Sequence, residues 1–286
     1  MVLILLGGLG ASSCGGSEDS SASGQTTSVV AAFYPLAYAA EQIGGPRVDV
    51  QNLTPPGTEP HDVELSARDV ERVRSADVVL YVGSGFQPAL EDALDGSEAA
   101  AVDLLEGLQL RGAADGEDDL EFDPHVWLDP LRYAEMSDRI ASALGRPRDA
   151  AKLRVRLEGL DREYEAALDR CKRREIVTSH AAFGYLAERY DLEQIAITGL
   201  SPEAEPTPQE LEDVVEDVRA QDATTVFFET LVSPSLAETV ARETGASTAV
   251  LNPLEGLTEE ELDRGEDYFS LMRTNLQTLR EALECG

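Results

Sequence analysis

Three histidines, His61, His125 and His180, are the residues of this chain best suited to chemistry. His61 follows a proline-glycine turn in "PPGTEPHDVELS". His125 shares "FDPHVWLDP" with the only tryptophan, Trp127, between two Asp-Pro steps, and His180 closes the β-branched run "REIVTSH". An imidazole can ligate zinc, copper, iron or nickel, can move a proton near neutral pH, or can sit in a turn without a further role. The three lie too far apart in the chain for a finger-type site, so any shared site must be assembled by the fold. Three imidazoles and one carboxylate suit a tetrahedral zinc ion. A closed set of four holds the ion, whereas an open position leaves room for water, as in a hydrolase. The sequence has no H-E-x-x-H, H-x-x-E-H or G-x-S-x-G, the local signatures of zinc peptidases and serine hydrolases.

Elements that could position these residues follow from the hydrophobic pattern. Short β-branched runs ("SVVAAF", "VDVQNLTP", "DVVLYVG", "AAAVDLL") alternate with helical spacing up to about residue 130. The fully apolar "DVVLYVG" is the pattern of a strand buried on both faces of a parallel sheet. After the helix "PLRYAEMSDRIASALG", Pro147 marks the start of another, and 148–171 reads as one long polar helix spanning about 36 Å. Alternation then resumes with strands "REIVTSH", "LEQIAIT", "TTVFFET" and "STAVLN". Between them lie helices, one opened by the capping-box pattern "TPQE". The expected architecture is α/β: two Rossmann-like lobes, 29–147 and 172–286, joined by a rigid backbone helix over 148–171, with a site in the cleft. A single large doubly wound sheet is the alternative. Each histidine falls at the carboxyl end of a predicted strand or in the loop after it, the edge where open α/β sheets bind ligands.

The 286 residues carry 55 Asp and Glu against 23 Lys and Arg, a net charge of −32. Such a surface repels phosphate backbones, so nucleic acid is not an expected partner. The start, "MVLILLGGLGASSC", runs from apolar to small residues and ends at a cysteine, resembling a bacterial lipoprotein signal. On this reading residues 1–14 are the signal, Cys14 carries the lipid, and 15–28 form a flexible tether to the membrane. Export would put Cys171 and Cys285 where a disulfide can form, and two free thiols are the alternative.

Four stretches, "PHDVELSARDV", "DPHVWLDP", "SHAAFGYLAERYDL" and "VLNPLEGL…DYFSLMRTNLQTL", together resemble the metal-binding subunits of zinc and manganese ABC importers. The likeness runs in order over nearly all of the chain from about 29 to 284. It implies an exported, membrane-anchored solute-binding lipoprotein, expected to be a monomer, that delivers its ion to a membrane permease without making or breaking a bond. It places metal ligands at His61, His125 and His180, with Glu255 as the fourth and Glu229 as the alternative carboxylate. Asn252 stands where many members have aspartate. Asp123 or Asp129 would hold a ligating ring by its other nitrogen. Three imidazoles and one carboxylate imply Zn2+ as cargo, whereas Mn2+ would call for a second carboxylate. An exported zinc-dependent hydrolase and a surface adhesin are the rival classes. The acidic "GAADGEDDLEF" lacks the histidines of a metal-gathering loop and reads as a solvated linker.

Overall fold

Each apolar run finds its partners in one of two small parallel sheets. The computed structural model describes residues 26–61, 63–113 and 120–286. Cys14, the signal, most of the tether and 114–119 of the acidic stretch lie outside the described residues. The first lobe runs β1 (Thr27–Ala31), α1 (Tyr34–Gly44), β2 (Val48–Asn52), α2 (Ala67–Ser75), β3 (Val78–Tyr81), α3 (Pro88–Leu94), β4 (Ala100–Asp103). Its strands are all parallel in the order β2-β1-β3-β4. β1 starts inside the segment read as tether, because Thr27 and Ser28 already pair with Val48 and Asp49.

α4 (Pro130–Ala143) and α5 (Ala151–Leu168) lead to the second lobe: β5 (Glu175–Thr178), α6 (Gly184–Arg189), β6 (Glu193–Ala196), α7 (Pro208–Ala220), β7 (Thr225–Phe228), α8 (Ser235–Thr244), β8 (Ser247–Val250). The chain ends with α9 (Glu259–Asp263) and α10 (Tyr268–Ala282). The second sheet, β6-β5-β7-β8, repeats the order of the first and is also parallel. There are therefore two lobes of like topology, and the single-sheet alternative falls.

The linking helix is shorter and more deeply packed than its sequence reads. Pro147 sits in a turn before α5, and α5 buries Leu153, Leu157, Leu160, Tyr164 and Leu168 in a stripe of helical period. The stripe belongs to one continuous core that takes in the first sheet, α4, α10 and the inner face of the second sheet. A smaller core, around Val177, Val218, Val226 and Val240, fills the outer face of the second sheet under α7 and α8. Cys171, after α5, is joined by a disulfide to Cys285, after α10, across 114 residues of sequence.

Candidate metal centre

The carboxyl ends of the two sheets face each other, and four loops meet between them. His61 lies in the loop after β2, His125 after β4, His180 after β5 and Glu255 after β8. One donor atom from each lies within 4.8 Å of the other three. Oε1 of Glu255 is 3.0 Å from His125 Nε2 and 3.4 Å from Nε2 of both His61 and His180, and the Nε2 atoms of His125 and His180 are 3.3 Å apart. Zinc–ligand bonds of about 2.0–2.2 Å set tetrahedral edges of roughly 3.3–3.6 Å. Three of the four distances fall in that range, and the shortest is a few tenths of an ångström under it.

These donors are shut away from water. His125 and His180 are fully buried and Glu255 is 1% exposed. Nε2 of His61 and Oε1 of Glu255 make no hydrogen bond among the described residues. Leaving such buried atoms unsatisfied is costly, and a cation between them would satisfy both.

The far sides of two rings are held by carboxylates. Asp123 Oδ1 accepts from Nδ1 of His125 at 2.8 Å and also from its backbone N–H at 2.9 Å. Glu229, directly after β7, accepts from Nδ1 of His180 at 2.7 Å. A carboxylate can only accept, so it fixes the proton on Nδ1 and leaves the Nε2 lone pair facing the centre. Gly184, at the start of α6, permits this packing: a Cβ there would lie 2.8 Å from Asp123 Oδ2. His61 is set differently. Gln87 donates to the Pro60 carbonyl at 3.0 Å, and the His61 ring meets Phe86 edge-on at 4.5 Å between centroids.

Proton affinities follow these surroundings. Burial lowers the pKa of His61. Burial also pulls on His125, but the hydrogen bond to Asp123 and the nearby Glu255 carboxylate outweigh it and raise the pKa. His180 is raised well above the ordinary histidine value, since the charges of Glu229 and Glu255 overcome its burial. Glu255, despite the burial, is held well below the usual carboxylate range by the charge of His180 and the close approach of the three imidazoles.

Among the alternative site residues, Asp129 serves elsewhere. It caps α4 through the N–H groups of Leu131 and Arg132 and pairs with the Arg132 and Arg189 guanidiniums. Its carboxylate is consumed by the helix that Pro130 opens. Asn252 gives no donor to the cluster; its Oδ1 accepts from Leu254 N–H and its Nδ2 donates to Glu261. Glu229 stands behind His180 rather than among the four donors. Sequence reasoning missed Gln87, Glu261 and Asn275. Only Glu261 left a signal, the capping-box spacing from Thr258.

The two lobes also bond to each other directly across the cleft. Gly57 N–H donates to the Leu257 carbonyl at 2.8 Å, and Trp127 Nε1 donates to the Pro253 carbonyl at 2.8 Å. Gly256 allows the approach, since a Cβ there would lie 3.3 Å from the Thr58 carbonyl oxygen.

Two parallel α/β lobes thus hold between their carboxyl edges a buried nitrogen–oxygen cluster that could bind a metal ion. Residues 29–282 match the family described as "ZnuA: Zinc-uptake complex component A periplasmic", and the chain belongs to that family. It is 36% identical over 278 residues to the zinc-binding lipoprotein AdcA of Streptococcus pneumoniae, covering 90% of this chain and 56% of AdcA. The chain thus spans little more than half the length of that relative. It is 32% identical over 302 residues to the high-affinity zinc uptake system protein ZnuA of Bacillus subtilis, covering 98% of this chain and 94% of the relative. The crystal structure of the Zn(II)-bound ZnuA-like domain of Streptococcus pneumoniae AdcA superposes with a TM-score of 0.76 at 36% identity, covering 91% of this chain and all of that one.

Proposed function

We propose that the chain captures Zn2+ outside the cytoplasmic membrane and delivers it to an ABC permease, with His61, His125, His180 and Glu255 as the four ligands. The observation that carries this reading is the convergence of four buried donor atoms at separations close to tetrahedral zinc edges. Asp123 and Glu229 then act as holders of the ligating rings. Three nitrogens and one oxygen favour zinc over manganese, which prefers more oxygen ligands. A complete set of four protein ligands leaves no place for an attacking water, so the protein binds and releases its ion without catalysis.

The family and the zinc-binding relatives support the same reading. An exported, membrane-anchored location through a lipid on Cys14 is part of it, with AdcA described as a lipoprotein. No helix among the described residues is long and apolar enough to cross a membrane. The working division is signal 1–14, a tether from 15 that ends before β1 rather than at 28, a first lobe from Thr27 to 147, link 148–171 and lobe 172–286, in a monomer.

Competitive titration with zinc and manganese tests the proposal. Trp127 reports it, its ring lying 5.2 Å from that of His125 between centroids. One zinc per chain, bound more tightly than manganese and without turnover of ester or peptide substrates, is expected. Tighter manganese binding, or metal-dependent hydrolysis, would overturn it.

A further inference from the structure

The turn that carries Glu255 is held by buried polar groups that touch no other donor of the metal cluster. Leu254, immediately before Glu255, is a fully buried non-glycine residue with φ of 57°, a left-handed conformation that costs about 1–2 kcal/mol for an L-residue. Asn252 holds it there, accepting from Leu254 N–H at 2.7 Å. Its other polar groups are engaged too. Its N–H donates to Asn275 Oδ1 at 2.9 Å, its carbonyl accepts from Asn275 Nδ2 at 2.6 Å, and its Nδ2 donates to Glu261 Oε1 at 3.0 Å. The second oxygen of Glu261 accepts from Thr258 N–H at 2.8 Å and from its hydroxyl at 3.0 Å, capping α9. Asn252, Glu261 and Asn275 are each no more than 5% exposed.

This arrangement tolerates one carboxylate, not two, between positions 252 and 261. An amide at 252 can donate to a carboxylate at 261, whereas a carboxylate at 252 would face another at hydrogen-bond distance in a buried setting. We propose that the Asn252–Glu261 pair, clamped by Asn275, is the specificity determinant of the fourth-ligand turn. It keeps Leu254 left-handed so that Glu255 alone reaches the imidazoles, and it reserves the site for a four-coordinate ion against ions that recruit more oxygens. The inference rests on Glu255 being a ligand.

The test is a set of zinc and manganese affinities for the full chain and its variants, with the metal-free melting temperature of each. Glu255→Gln examines the underlying reading by itself: wild-type zinc affinity in that variant removes Glu255 as a ligand, whatever the others do. With Glu255 established, Asn252→Asp and Glu261→Gln should each weaken zinc by roughly 10- to 100-fold, as loss of ligand support does. Each should also lower the ratio of zinc to manganese affinity, which a purely structural role would leave unchanged. The exchange Asn252→Asp with Glu261→Gln restores the bond between positions 252 and 261 with donor and acceptor reversed, and leaves the direction of the other bonds unchanged. The amide now at position 261 would donate to the carboxylate now at 252, and its oxygen would still accept from Thr258. Zinc affinity and metal ratio should then return close to wild type. Wild-type affinity and ratio in Asn252→Asp, or a folded double exchange as weak as the single variants, overturns the proposal. Should Asn252→Asp fail to fold, the folded double exchange decides between the same two results.

Discussion

The two lobes share a strand order, yet they place a member of the donor cluster after the fourth strand in different ways. In the first lobe Asp123-Pro124-His125 forms a turn whose aspartate accepts the N–H two residues on, and the same oxygen steadies the His125 ring. In the second lobe Asn252-Pro253-Leu254 forms the corresponding turn, again with the side-chain oxygen on the N–H two residues on. Here the amide commits its hydrogen to Glu261, and the left-handed Leu254 brings forward the next residue, Glu255. One Asx-Pro device therefore presents an imidazole in one lobe and a carboxylate in the other. The first lobe contributes two imidazoles to the cluster, while the second contributes an imidazole and a carboxylate, whose charge would neutralise half of a divalent ion.

The largest effects should come from removing imidazoles on either side of the cleft. His125→Ala and His180→Ala should both abolish measurable zinc binding in a competition assay, and His61→Ala should do the same. Retention of wild-type affinity by any of the three would remove that residue from the site. Glu255→Ala should weaken zinc by less, because three nitrogens remain. A larger loss from Glu229→Ala than from Glu255→Ala would exchange the roles given to those carboxylates.

The histidines and the two lobes were legible because they depend on local pattern: strand runs, breakers, and a rare residue type placed at strand ends. The choice between Asp123 and Asp129 was not, since both precede a proline. What separates them is the element that follows, a short 3-10 turn over Val126–Leu128 for Asp123 and the long helix α4 for Asp129. Asn275 was invisible for another reason. A polar residue inside an amphipathic helix reads as surface, and its two bonds to Asn252 exist only when α10 folds back over 23 residues of sequence. The polarity of 148–171 likewise hid a buried stripe that needed only five apolar positions.

A smaller effect should separate the supports of the two lobes. Asp123→Ala removes both the ring holder and the turn anchor, whereas Glu229→Ala removes a ring holder alone. Both should cost roughly 10- to 100-fold in zinc affinity, with Asp123→Ala the larger. Asp123→Asn, which keeps an accepting oxygen, should lose less than Asp123→Ala, and equal losses would deny the hydrogen bond its role. The pH dependence follows from the same contacts. Zinc needs neutral imidazoles, and the raised pKa of His125 and His180 lets protons compete above the ordinary histidine value of about 6.5. His61, lowered by burial, does not compete there. Zinc affinity should therefore already be falling as pH drops towards 6.5. In the metal-free chain the raised His180 pKa contributes stability that is full below about 6.5 and lost as pH rises through the folded value. The rise in melting temperature on adding zinc should accordingly be larger at pH 8 than at pH 6. A rise independent of pH would contradict the assignment of these imidazoles.

The smallest expected effect on zinc comes from the disulfide. Cys171 precedes β5 and so lies at the amino edge of the second sheet, opposite the edge that carries His180 and Glu229. The bridge closes a loop of 114 residues, for which chain entropy gives roughly 4–5 kcal/mol of stabilisation. Neighbouring bonds act on the same junction: Lys172 and Arg173 pair with Glu284, and their N–H groups donate to the Leu283 carbonyl. Replacing both cysteines by serine should therefore lower the melting temperature while leaving zinc affinity at its wild-type value. The local bonds and the α5 core stripe still dock α10, and no metal donor touches the bridge. A fall in affinity at a temperature where the variant remains folded would mean that the orientation of the second lobe, and with it the position of Glu255, depends on that clamp.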